Sequence, residues 1–419
     1  MAQGGAAERH EGRVNAAMDG GRPLPLQGYR VLDLATMIAA PFCAGILGEF
    51  GAEVIKVEMP GKGDPLRSFG TMTAAGSSFN WLNEGRNKKS ITLDIRRPEG
   101  AELAKKLAAQ CDVVAENFRP GTLERWGLGY DILKSVKSDL ILVRVSAYGQ
   151  DGPYRDRPGY ARIAHGFAGL THLAGEPEGP PVVPGSTALA DYISGVYAAV
   201  GALLALIARD RFGIGQSVDI GLYEGIFRML DELAPVYAKT GYVRGRMGAD
   251  TVNAVPHSHY RTRDGKWVAL ACTSDKMFER LAKVMERPDL AAPDRFGAVE
   301  ARLEHRGEVN RIVAEWMASI TYREAMDRCL AGGVPIGPIN TIADIFEDVQ
   351  FKARENLVAM PEQREESVVV PNVLPRLSET PGRLRSLGPD LGQHNKEIYL
   401  GMLGLSAEEL AGLKAAGIV

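Results

Sequence analysis

The sequence predicts an α/β protein, a doubly wound parallel sheet joined to a smaller α+β domain, and three observations carry that expectation. Short apolar runs alternate with amphipathic stretches from residue 28 to residue 222. The texture changes after about residue 245, where a hairpin pattern gives way to a series of amphipathic helices. One long apolar run, Val196–Ala208, falls short of the roughly 18 residues needed to span a bilayer, and so reads as a buried helix. A chain of 419 residues also exceeds what one core fills, which argues for two domains.

The expected strands of the first part are Arg30–Leu34, Glu53–Glu58, Ser90–Asp94, Asp112–Glu116, Leu140–Ala147 and Ser217–Gly221. Pro41–Phe50, Pro98–Gln110 and Thr122–Trp126 lie between them as helices. Strands joined through helices run parallel, and a parallel sheet is covered on both faces. Further on, Val252–Tyr260 and Arg261–Thr273 flank an Arg-Asp-Gly-Lys turn at 263–266 and read as a hairpin. Helices are expected at Lys276–Met285, Arg302–Met317 and Tyr322–Ala331. The proline- and glycine-rich Val334–Pro338 reads as the return path to the first domain. Near the C-terminus, Ile398–Leu403 is followed by Ser406, a helix cap with Glu409 three residues on. Residues 1–21 are polar and Gly/Ala-rich and read as a disordered leader rather than a signal peptide. The expected division is therefore 1–21 leader, 22–225 large domain, 245–340 small α+β domain, and 341–419 a return segment completing the large domain.

Composition narrows the function. Apolar residues make up 45% and charged residues 24%, an ordinary globular balance. The formal net charge of −3 supplies no global basic field for nucleic acid or an anionic membrane. Cys43, Cys111, Cys272 and Cys329 lie far apart without a C-x-x-C pair, which points to reduced, buried thiols. His257 and His259 form the only close histidine pair and no H-E-x-x-H occurs, so no metal is expected. The cytoplasm is the default compartment.

Candidate chemistry begins at Asp191, which follows the small-residue loop 185–190 and precedes the long apolar helix. One reading is a helix N-cap. The other is a poorly solvated carboxylate nucleophile among Ala190, Tyr192 and Ile193. The loop after the first strand lacks G-x-G-x-x-G, which counts against NAD or FAD, while Ala39 and Ala40 before Pro41 leave room for a ligand at a helix start. Arg86, Lys88, Lys89, Arg96, Arg97, Arg119 and Arg125 cluster around strand ends, where open α/β sheets bind phosphorylated ligands. Asn117-Phe118 either faces a thioester or purine, or packs. His165 and His172 near the Arg157-Pro-Gly-Tyr160 loop admit an acid–base or a packing role.

Taken together in order, several segments resemble the class III coenzyme A transferases, which include formyl-CoA transferase and the carnitine CoA-transferases. They are residues 26–33, 51–58, 89–94, Val114-Ala-Glu-Asn-Phe-Arg-Pro-Gly121, 148–153, Ala190-Asp-Tyr-Ile-Ser-Gly195, 213–219 and Leu391-Gly-Gln-His394. The resemblance implies a Rossmann-like large domain closed by both ends of the chain, a small domain, and an interlocked homodimer. It places the catalytic aspartate on Asp191. Coenzyme A contacts fall on Ile38, Ala39, Leu93, Asp94, Ile95, Arg96, Asn117, Phe118, Arg119, Arg125, Arg157 and Tyr160. It further implies transfer between acyl-CoA and a free carboxylic acid, through an aspartyl anhydride and an aspartyl-CoA thioester, with neither ATP nor metal. Succinyl-CoA is the donor to test first, with small dicarboxylates as acceptors.

The chain departs from formyl-CoA transferase at Ile38, where that enzyme has glutamine, and at Met59, where it has a basic residue. A glycine-run loop is missing near 250–260. Oxalate and formate are therefore not the expected substrates. A racemase of the same fold would need two opposed acid/base groups, and the histidine of its Gly-His-Asp pattern is missing from the comparable stretch Arg157-Pro-Gly-Tyr-Ala-Arg-Ile163; a non-catalytic CoA-binding subunit would not need Asp191. Arg162, His257 and His259 are candidates for a distal carboxylate or are surface residues.

Overall fold

A computed structural model describes residues 22–362 and 366–419; the expected leader at 1–21 lies outside the described residues. The chain divides into two compact units. One takes in the chain up to Leu170, Gly185–Glu232 and Ala353–Val419; the other takes in Thr171–Pro184 and Leu233–Lys352.

The larger unit is built on six parallel strands: β1 (Arg30–Asp33), β2 (Glu53–Glu58), β3 (Lys88–Thr92), β4 (Val113–Glu116), β5 (Ile141–Ser146) and β6 (Ser217–Gly221). Their order across the sheet is β3-β2-β1-β4-β5-β6, which reverses between β1 and β4, the point where doubly wound sheets open a ligand crevice. Alternation along the strands divides the core. Val31, Val113 and Val143 face one side with α1 (Ala39–Glu49). Leu32, Val114 and Leu142 face the other with α3 (Pro98–Ala109). A short helix, α2 (Phe79–Glu84), precedes β3, and α4 (Thr122–Arg125) follows β4. After β5 come α5 (Ala161–Phe167) and the long α6 (Leu189–Phe212), then α7 (Leu222–Arg228) behind β6.

By length and composition α6 is apolar enough to cross a membrane. It runs well beyond the apolar run that predicts it, and its small residues Ala198, Ala199, Ala202 and Ala205 are buried with the residues of α1 in one core cluster. The stretch after Leu374 returns to β3. Ser90 N–H donates to His394 Nδ1 at 3.1 Å, Thr92 N–H to Asn395 Oδ1 at 2.9 Å, and Asn87 N–H to the Ser386 carbonyl at 3.1 Å. These bonds occupy the outer edge of β3, which would otherwise stand open. Ser406 and Glu409 form the expected reciprocal capping box.

In the smaller unit, β7 (His257–Arg261) and β8 (Trp267–Ala271) form the expected hairpin, with Gly265 in the left-handed region at the turn. Val334–Pro338 is not merely a connection: β9 (Ile336–Pro338) adds antiparallel to β8 as a third strand. The expected helix Arg302–Met317 is two, Val299–Glu304 and Arg306–Ser319, parted at His305. Arg302 is fully buried there, its guanidinium donating to the carbonyls of Val255, Phe296 and Gly297 and to Asp275. A separate two-stranded ribbon, Leu357–Glu362 with Glu366–Pro371, belongs to the larger unit.

Candidate active site

The carboxyl ends of the strands open into two neighbouring cavities that share Phe118. The larger, about 580 Å³, is walled by Leu34, Val57, Leu93, Ile95 and Trp126, with Met59, Lys62, Asp94 and Arg96 also lining it. The smaller, about 120 Å³, lies among Asn117, Arg119, Ser146, Arg157 and Tyr160. Nine of the sequence-derived contacts thus line these two cavities: Leu93, Asp94, Ile95 and Arg96 in the first, Asn117, Arg119, Arg157 and Tyr160 in the second, and Phe118 in both.

The side chains are less free than the sequence implies. Arg96 grips Asp94 through Nε and Nη2, both at 2.8 Å, which holds the Asp94 carboxyl below its ordinary range. Asn117 borders the smaller cavity, but its amide is taken up by the backbone. Its amide brackets Thr36, accepting from the Thr36 N–H at 2.9 Å and donating to the Thr36 carbonyl at 2.6 Å, and so fixes the β1–α1 loop. Phe118 meets Trp126 edge to face at 5.0 Å, and Arg157 lies 3.5 Å over the Tyr154 ring. Arg125 turns to the Thr122 hydroxyl at 2.9 Å.

Of the basic residues grouped in the sequence, Arg86 and Lys88 are buried, while Arg96, Arg97, Arg119 and Arg125 are exposed. Lys88 is buried against Asp33 at 3.0 Å and the Pro41 carbonyl at 2.6 Å. Arg86 pairs with Glu49 at 3.0 Å, and Lys89 with both Glu53 and Glu397 at 2.6 Å. Arg97 donates to the Ala416 carbonyl at 2.7 Å. Charges that stand near strand ends in the sequence here fasten elements to one another.

Asp191 lies in the first turn of α6 but is not its cap. The helix starts at Leu189 with Ala188 as N-cap, so Asp191 is the third helical residue. Gly195, one turn on and on the same face, fits directly against α1: a Cβ there would meet the Ala39 carbonyl at 2.6 Å. The start of α1 therefore abuts the turn that carries Asp191. Ile38 is its N-cap, and Ala39 and Ala40, its first two residues, have N–H groups without intrahelical acceptors. Ile38 is buried in a cluster with Trp81 and Leu82 against which Ala188 and Tyr192 pack. Phe42 meets Tyr192 edge to face at 5.0 Å, and the Tyr192 hydroxyl donates to Glu84 at 3.2 Å. In this apolar corner burial pushes the Asp191 carboxyl up to about 6.

Several contributors carry no signal that the sequence reading used. Met37, just before α1, is held in the left-handed region by Asp64, whose Oδ1 accepts its N–H at 3.1 Å. Asp64 in turn pairs with buried Lys56 at 3.0 Å, and Lys56 also reaches Asp33 at 3.7 Å. The Gly61-Lys62-Gly63-Asp64 turn at the end of β2 was the available cue, since it sits where such sheets bind ligands. His165 is buried and bonded to the start of α6. Arg162 lies on the exposed face of α5, and His172 is exposed. His257 and His259 belong to the smaller unit, lining a cavity of about 390 Å³ there. Among the described residues no group of three or more His, Cys, Asp and Glu is arranged to hold a metal.

The doubly wound sheet carries one crevice at its switch point and a second at the ends of β4 and β5, with a half-buried aspartate at a neighbouring helix start, and residues 26–395 match the model of CoA-transferase family III. The chain belongs to that family and is a CoA-transferase. It is 52% identical over 398 residues to the succinyl-CoA–L-malate CoA-transferase beta subunit of Chloroflexus aurantiacus, covering 94% of this chain and 98% of that protein. It is 43% identical to the succinyl-CoA–D-citramalate CoA-transferase of the same organism, over 95% of this chain and 98% of that one. Among solved structures, a CAIB/BAIF family protein from Brucella suis superposes with a TM-score of 0.80 at 34% identity, over 90% of this chain and 99% of that chain.

Proposed function

We propose that this enzyme moves coenzyme A from succinyl-CoA to a small dicarboxylate of the malate type, with Asp191 as nucleophile. The observation that carries the substrate reading is the 52% identity, over nearly the whole chain, to the succinyl-CoA–L-malate transferase. Desolvation of Asp191 at the α1–α6 contact supports the mechanism.

An Asp191 carboxylate oxygen attacks the thioester carbon of succinyl-CoA; the C–S bond breaks, leaving a mixed anhydride and the CoA thiolate. The thiolate then attacks the aspartyl carbonyl carbon and expels succinate, which leaves an aspartyl-CoA thioester. The acceptor carboxylate repeats these steps in reverse order, and the last thiolate attack returns free Asp191. Thioester energy is conserved throughout, so water must be kept from the anhydride. The Ala39 and Ala40 N–H groups are the donors for the tetrahedral oxyanion. The larger cavity, with its apolar walls and Lys62 and Arg96, holds the nucleotide end of CoA, and Arg119, Arg157 and Tyr160 border the path of its arm.

We further propose a cytoplasmic homodimer, interlocked as the fold family implies. The dimer is supported by the exposed row Val196, Val200, Leu204 and Ile207 along α6, of which Leu204 is 62% exposed. The chain is 52% identical to both the alpha and the beta subunit of the Chloroflexus enzyme, and so sides with neither.

Intact mass and hydroxylamine trapping after incubation with succinyl-CoA test the reading. An adduct on wild type that maps to Asp191 and is absent from Asp191→Ala is the expected result. No adduct with any thioester, with the variant fully active, would end it. Deuterium exchange into a chiral 2-methylacyl-CoA would instead identify a racemase.

A further inference from the structure

The first turn of a helix ordinarily favours an ionised carboxylate, because its N–H groups lack intrahelical acceptors and its dipole is positive there. Asp191 sits in such a turn, yet burial dominates its carboxyl and no backbone donor offsets it. The bonding of that turn supplies the reason. The Asp191 and Tyr192 N–H groups both point to the Ala188 carbonyl, at 3.0 and 3.2 Å. The Ala190 N–H donates to Nε2 of His165 at 2.9 Å.

His165 has no exposed surface, and only an unprotonated Nε2 can accept that bond. Burial, together with the nearby Arg162 charge, holds the imidazole below its ordinary range, which keeps the acceptor available at neutral pH. With Nε2 accepting, the ring proton resides on Nδ1, and Nδ1 has no hydrogen-bond partner among the described residues. A ring bound at one nitrogen and idle at the other is an acceptor, not part of a proton relay.

We propose that His165 is a positioning residue for the transfer reaction: by accepting the Ala190 N–H it fixes the first turn of α6 and, with it, the placement of the Asp191 carboxylate. The nucleophile is thereby kept poorly solvated and strongly basic. This rests on the reading of Asp191 as nucleophile. The ionisable groups around this corner are Arg162 on α5, Tyr192 on α6, Glu84 of α2 with Arg86 just beyond it, and Tyr223 and Glu224 on α7. None of them is a cause of the Asp191 shift, which is burial alone.

His165→Leu removes the acceptor and His165→Gln keeps one on a side chain of comparable reach without a titrating ring. Two readouts separate positioning from structure: the pH profile of kcat/KM, and the pH dependence of the stability gap that Asp191→Asn opens in each background. The second reads the Asp191 carboxyl without turnover. In His165→Leu, water entering the loosened turn should lower kcat by about tenfold or more. The same variant should move the apparent carboxyl pKa from near 6 towards the ordinary carboxylate value of about 4. His165→Gln should restore both. Should the leucine variant fail to fold, His165→Asn, whose amide stops short of Ala190, replaces it and should behave as described for leucine. A wild-type profile and an unchanged stability gap in the leucine or asparagine variant would overturn the proposal. Glutamine as impaired as leucine would overturn it too, and would point to proton transfer by the ring. If wild type forms no adduct with any acyl-CoA, the nucleophile reading fails, while the stability gap still decides whether His165 sets the Asp191 carboxyl.

Discussion

Replacing Asp191 by asparagine should stabilise the protein at neutral pH while abolishing transfer. The carboxyl rises from 3.8 to about 6 on folding because it is largely buried and no donor offsets that burial. At about 1.4 kcal/mol per tenfold in the proton equilibrium, the ionised side chain costs the folded state roughly 2–3 kcal/mol. The sign follows from where the proton sits. Between about pH 4 and pH 6 the folded protein holds a proton that the unfolded chain has lost, so stability falls as pH rises across that window and levels off above it. Asparagine has nearly the same size and never ionises. The stability of Asp191→Asn relative to wild type should therefore grow by about 2–3 kcal/mol between pH 4 and pH 8, read from urea unfolding midpoints at each pH. Wild-type kcat/KM should rise across the same window and then level, since only the carboxylate attacks. A difference that stays flat with pH, or that shrinks as pH rises, would refute the claim that Asp191 is desolvated and unbonded.

Gly195→Ala places a methyl 2.6 Å from the Ala39 carbonyl, which must push α6 off α1; a loss of about 1–3 kcal/mol is expected, with kcat falling more than KM changes. Lys56→Met leaves Asp64 buried without its cation and should cost about 3–5 kcal/mol, measurable as a lowered urea midpoint. Arg96→Ala should raise KM for acyl-CoA about tenfold with kcat nearly unchanged, and weaken the dependence of KM on salt; equal KM values would place the nucleotide end elsewhere.

Much of the large unit was legible because short strands rich in branched apolar residues alternate with amphipathic helices, and the central strands Val113–Glu116 and Ile141–Ser146 are buried along their whole length. Glu53–Glu58 and Ser217–Gly221 match to the residue, and Leu140–Ala147 is long by one at each end. Helix starts were less so: Asp191 resembles a cap, but the chain turns into the helix at Ala188, where a side-chain cap is absent. The site residues illustrate a second limit. Arg96 and Phe118 stand beside a cavity as strand-end position suggests, but Lys88, at the amino end of β3, is buried against Asp33, and Asn117, though it borders the smaller cavity, spends its amide on Thr36. Their partners lie 55 and 81 positions away, and no local pattern announces a pairing at that range. His165 is the sharpest case. Beside an apolar helix it reads as catalytic or as packing, whereas its bond runs to a backbone N–H 25 residues on.

The bonds along the outer edge of β3 also bear on how the protein is made. Ser90 and Thr92 wait for His394 and Asn395, more than 300 residues later, with the whole of Leu233–Lys352 synthesised in between. At about 5–20 residues per second, the unfinished edge is exposed on the ribosome for roughly 15–60 s. During that time the sheet cannot close, and an open parallel edge invites pairing with other chains. Yield of this enzyme in cells should therefore depend on translation speed and chaperone supply more steeply than the stability of the finished fold alone would suggest.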